Sequence, residues 1–166
     1  MPYAPLLAFA LAAFAVPTFG PVPDASASAT PGPAPAYLRV PTTGNEALIL
    51  NSGSTNRAGY RLRVFADGTT ALQQGDVPLK KRISQTLVTR FFADLKAAGP
   101  LDKLPIPHCM KSASFGSTTQ IGYRGVMSGD VSCFGGSQTV RMLSIDANAI
   151  ADAAGVSMLP RPLPSP

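Results

Sequence analysis

The strictest constraint in this chain is a short alternation that turns back on itself. In Tyr60-Arg61-Leu62-Arg63-Val64 apolar side chains occupy every second position and arginines fill the gaps. Successive side chains of a strand point to opposite faces, so the segment predicts a strand with one buried face and one wet face. Asp67-Gly68 follows at once, and that dipeptide favours a type I′ turn, whose two central residues both need positive φ. Thr69 to Gln74 then returns as the partner strand. A lone hairpin is marginal in water, so the chain must supply further strands and a layer over the apolar face.

Both are legible. Glu46 to Asn51 is a short apolar strand, and Ser117 to Tyr123 is another. Arg124-Gly125 reads as a turn, with Val126 to Cys133 as a return strand weakened by Gly129-Asp130. Ile83, Leu87, Val88, Phe91, Phe92, Leu95 and Ala98 form one stripe at helical spacing. Ser84 caps that helix, Lys96 suits its last turn, and Gly99-Pro100 ends it. Pro100 to Pro107 is too proline-rich for regular structure. Val140, Leu143, Ala147, Ile150 and Ala154 mark a second helix between a Ser137 cap and Gly155, with a strand over residues 139–143 as the competing reading. The resulting order is β-β-β-α-β-β-α. It implies an α+β fold, a two-layer sandwich in which two helices cover one face of a mostly antiparallel sheet.

The ends read differently. Leu6 to Val16 is an apolar run of eleven residues, the length of a signal-peptide h-region and too short to span a bilayer. Ala25-Ser26-Ala27 offers the small-x-small pattern of a cleavage site, although no basic residue precedes the run. The expected organisation is a leader over 1–27, a Pro/Ala/Ser-rich linker over 28–43, one domain over 44–156 and a proline-rich tail over 157–166. Loss of the leader removes Asp24 and no base, raising the formal charge from +5 to +6. Export, to the periplasm or the medium, places Cys109 and Cys133 in an oxidising compartment, where an even pair implies a disulfide. No lipid-accepting cysteine follows the apolar run, and membrane association is expected only through an uncleaved leader.

Chemistry-bearing patterns are sparse. His108 is the single histidine, next to Cys109 in a proline-rich segment. Neighbours in an extended chain do not aim imidazole at the adjacent sulfur, so this pair is a poor nucleophile-base couple. No paired ligand spacing suggests zinc, and no metal or cofactor is expected. Gly53-Ser54-Thr55 and Phe115-Gly116-Ser117 lack the flanking glycines of a nucleophile elbow, and the glycines at 122, 125, 129, 135 and 136 make neither a P-loop nor a dinucleotide fingerprint. Of the acids, Asp67 belongs to its turn, Asp94 to the polar side of the first helix, and Asp146 and Asp152 to the second. Asp130 is left by elimination. A hydrolase built on Asp130 or His108, either of which would have to meet a serine or threonine in a concave pocket, is the alternative reading.

Two basic features stand out. Lys80-Lys81-Arg82 is read as a loop just before the first helix, where positive charge opposes the helix dipole. If the strands at 60–65 and 117–123 are neighbours, Arg61, Arg63, Gln120 and Arg124 share the side of the sheet away from the helices. These residues form the candidate binding surface.

The run Tyr60-x-Leu-x-Val-x-x-Asp67-Gly68-Thr69, the Phe91-Phe92 helix ending at Ala98-Gly99, the proline-rich linker, the hairpin and the short final helix resemble uncharacterised exported bacterial proteins with domains of unknown function. The resemblance covers residues 46–155 and implies the same architecture, with no activity to carry over. A Cys-Phe-Gly-x-Cys-Pro segment found early in some such proteins is absent, and Cys133-Phe134-Gly135 is not its equivalent. The expected protein is a small, secreted or periplasmic, non-catalytic module. Its partner would be a protein or an anionic envelope polymer, and no nucleic acid is expected.

Overall fold

The computed structural model describes residues 39–74, 78–112, 114, 116–133 and 135–156, all within one unit spanning 34–166. The leader expected over 1–27, the expected linker up to residue 38 and the tail expected over 157–166 lie outside the described residues. Among the described residues the order is β1 Glu46–Asn51, β2 Tyr60–Phe65, β3 Thr69–Gln73, β4 Pro78–Arg82, α1 Gln85–Ala98, a 3₁₀ turn at Leu101–Lys103, β5 Thr119–Tyr123, β6 Val126–Met127 and α2 Gln138–Ala154. The sheet is open and antiparallel, in spatial order β4-β3-β2-β1-β5-β6. It is an α+β sandwich.

Register explains the layering. Ala47 faces Val64 and Tyr123, and Ile49 faces Leu62 and Ile121. These side chains share one face and merge with Val88, Phe91, Phe92 and Leu95 of α1 and Val140, Leu143, Ala147 and Ile150 of α2 in one core. Phe92 meets both Phe91 and Tyr123 edge-on, at ring-centre distances of 5.8 and 5.9 Å, a favoured geometry for aromatic pairs. The competing strand at 139–143 loses because Val140, Leu143 and Ala147 all reach this core only at helical spacing. Ser137 caps α2 by accepting from the Val140 N–H at 3.4 Å, and Gly155 closes it in the left-handed region at φ 90°. Ser84 precedes α1 without a side-chain cap bond, and Ile83 packs in the core just before the helix begins.

Three local expectations change. Lys80-Lys81-Arg82 is an edge strand, exposed throughout, paired with β3 through Ala71↔Lys80 and Thr69↔Arg82. Charge suits an edge, where it deters pairing with another chain, and Pro78 occupies the first strand position, where its missing N–H is tolerated. The Asp67-Gly68 connection is a three-residue loop in which only Gly68 has positive φ, at 87°. Asp67 instead turns the chain with its side chain, accepting from the Thr69 N–H at 2.9 Å. The turn with two positive φ values is Arg124-Gly125, at 51° and 80°. Finally, the strand expected over 126–133 pairs only at Val126–Met127. Beyond it, Val131 N–H bonds Thr119 O at 2.8 Å as an irregular strap.

Residues 39–43 cross the outer side of the sheet beside β5. Pro41 is buried and its carbonyl accepts from Gly125 N–H at 2.7 Å. Gly122 lies beneath Val40, and a Cβ there would stand 3.1 Å from Val40 Cγ1. This segment explains why Leu48, on the face away from the helices, is only 2% exposed.

Candidate functional site

The outer face is built by the pleat. Arg61 and Arg63 project from β2 opposite Leu62 and Val64, and the register sets Lys80 beside Ala71 and Ala71 beside Arg63. Arg82 shares that face with Lys80, because both alternate with Leu79 and Lys81. Gln120 lies opposite Leu50, which lies opposite Arg61. Strand β1 therefore separates β2 from β5, and the residues expected on adjacent strands meet across it. Lys81 points to the helix side of the edge strand. Arg124 also stands apart, in the β5–β6 turn with its guanidinium 5.3 Å from the Tyr123 ring centre.

The two arginines of β2 differ in what they touch. Arg63 pairs with Glu46 and donates to Arg39 O at 3.0 Å. Arg61 has no ion pair among the described residues, and its Nε is buried without a hydrogen-bond partner. It borders a pocket of about 340 Å³, with Gln73, Gln120, Asn51, Ser52 and Thr118 as polar walls and Leu50 as an apolar patch. Gln120 donates to Ser128 O at 3.2 Å, and Asn51 donates to Thr119 Oγ1 at 3.0 Å.

Cys109 and Cys133 form a disulfide, with Cα atoms 5.6 Å apart. It pins the strap beside a cluster around Asp130. Asp130 Oδ1 accepts from Thr119 N–H at 2.9 Å, Ser132 N–H at 3.1 Å and Ser132 O–H at 2.6 Å, while Oδ2 accepts from Lys111 Nζ at 2.5 Å. Burial opposes ionisation of this carboxyl, and the bonds from Lys111, Ser132 and Thr119 outweigh it, holding it below the usual carboxylate range. Lys111 also donates to Ser117 O and Ser132 Oγ, so its three N–H bonds are committed. Asp130 thus meets a serine, as the hydrolase reading required, beside a wider cleft of about 790 Å³ that Lys111, Ser117 and Ser132 help to line. The arrangement is that of a clasp: a carboxylate saturated by donors organises a loop without secondary structure. His108 is exposed, with no side-chain partner among the described residues.

One buried cluster escaped the sequence reading. Asp146 has a fully buried side chain at the α1–α2 contact and is bound by Arg90, Nη2 lying 2.5 Å and Nε 2.8 Å from Oδ1. Asp94, one turn beyond Arg90, lies within hydrogen-bonding reach of it. The Oδ2 atoms of both acids are buried with no donor. Burial, reinforced by Asp94 and only partly offset by Arg90, raises the Asp146 carboxyl above its ordinary range. The signal was present, since position 146 falls on the apolar stripe between Leu143 and Ala147. Tyr60, at the mouth of the wider cleft, is pushed up to about 12 by burial and by Asp152.

Comparison with protein-family models, with curated proteins and with solved structures returns no match. The disulfide is compatible with an oxidising compartment, and among the described residues no helix is long and apolar enough to cross a membrane.

Proposed function

We propose that this chain is an exported, non-catalytic binding module whose outer sheet face engages an anionic envelope polymer. The observation that carries this reading is the register of β4. It brings Lys80 and Arg82 onto the face already holding Arg61 and Arg63, making one basic field from segments nineteen residues apart. The single acid among the strand residues of that face, Glu46, is already paired with Arg63. A predominantly basic field on the β2–β4 part of the outer face attracts polyanions at long range, with a strong dependence on ionic strength. The disulfide is compatible with a site of action outside the cytosol, as is the apolar run from Leu6 to Val16 if it serves as a leader.

The test is binding of the folded protein to polyglucuronate across a salt series. Affinity should fall steeply as salt rises, and the double substitution Lys80→Gln with Arg82→Gln should weaken it by roughly tenfold at low salt. Affinity for the polymer that is absent at low salt, or indifferent to salt, overturns the proposal.

A further inference from the structure

Resting on that reading, we infer that the pocket beside Arg61 takes one carboxylated sugar unit of the polymer. A guanidinium that carries a buried, unpartnered N–H is expensive, because a donor removed from water without an acceptor loses its hydrogen bond outright. Arg63, two residues along the same strand and face, shows how this chain satisfies such a group when the role is structural: Glu46 and the Arg39 carbonyl occupy it. Arg61 has neither.

The walls specify the rest. They supply one cation and no carboxylate, so the complement is a single negative charge. Gln73 has no side-chain partner among the described residues, and the Gln120 carbonyl oxygen is uncommitted once its amide donates to Ser128 O. Amides and hydroxyls around one charge suit the hydroxyls of a sugar ring. Leu50 provides an apolar surface for the C–H face of that ring. The volume of about 340 Å³ sits at the small end of the range of about 300–1,000 Å³ for ligand sites, enough for one ring. The two Nη groups of Arg61, which unlike Nε are not shut away from the pocket, can meet the two oxygens of a planar carboxylate.

Titration calorimetry and amide chemical-shift mapping with free glucuronate, glucose and inorganic phosphate test this. Glucuronate should shift amides of Arg61, Gln73 and Gln120, at least tenfold more tightly than glucose or phosphate. Arg61→Gln should weaken glucuronate at least tenfold, and Arg61→Lys, which keeps the charge and loses the fork, at least fivefold. Lys80→Gln should weaken it less than twofold. Because the buried donor is relieved, Arg61→Met should unfold at the same temperature as the parent or higher, which confirms that the variants fold. Equal effects of Arg61→Gln and Lys80→Gln overturn the pocket while leaving the basic face standing. Phosphate binding as tightly as glucuronate overturns the sugar class. Loss of salt-dependent polymer binding by the parent protein instead removes the reading on which the pocket rests.

Discussion

Substitution at the Arg90–Asp146 pair should be strongly asymmetric. Asp146 is entirely buried whereas the Arg90 side chain is 52% exposed. Arg90→Met therefore strands a carboxylate in the helix interface, and breaking a buried pair from this side costs about 3–5 kcal/mol. Asp146→Asn returns a half-exposed guanidinium to water and places an amide donor near Asp94, so its cost should stay below about 1 kcal/mol. The two variants must also differ in pH response. The folded-state pKa of Asp146 is raised, so protonation favours the native state. The associated stability is fully present below the unfolded value of about 3.9 and is lost as pH rises through the folded value. Arg90→Met raises that folded value further, so its deficit should grow as pH rises above about 4, while Asp146→Asn should flatten the profile. Urea unfolding followed by circular dichroism at several pH values gives both quantities. Equal, pH-independent losses from the two substitutions would refute the claim that this carboxyl is dry.

Other expectations follow from the strap and the packed segment. Replacing Cys109 and Cys133 together by serine reopens a loop closed across 24 positions and should cost about 3–4 kcal/mol on the chain-entropy scale, read as a shift in the urea midpoint matched by reduction of the parent. Asp130→Ala strands the Thr119 and Ser132 N–H groups and the Lys111 ammonium. It should cost about 2–4 kcal/mol and raise amide exchange across 128–133. In the parent protein the contribution of Asp130, whose pKa is lowered, is present above the unfolded value and disappears as pH falls through the folded one. Gly122→Ala drives a methyl against Val40 and should cost about 1–3 kcal/mol, with proteolytic sensitivity appearing first near Arg39.

What the sequence determined alone was whatever repeats locally. The alternation at 60–64, the stripes of the two helices and the Ser137 and Gly155 caps each declare themselves within a few residues, because backbone period and side-chain direction are coupled at short range. From these the α+β layering follows. Tertiary structure decided the rest, because a strand such as Pro78–Arg82 has no apolar period of its own and exists only through hydrogen bonds to β3. The same dependence on distant partners put β1 between β2 and β5, brought Asp94 to Asp146 across two helices, and gave Glu46 to Arg63 while leaving Arg61 without an ion pair among the described residues. Identical residue types on one strand face acquire different roles from neighbours far away in the chain, and no window of sequence contains those neighbours.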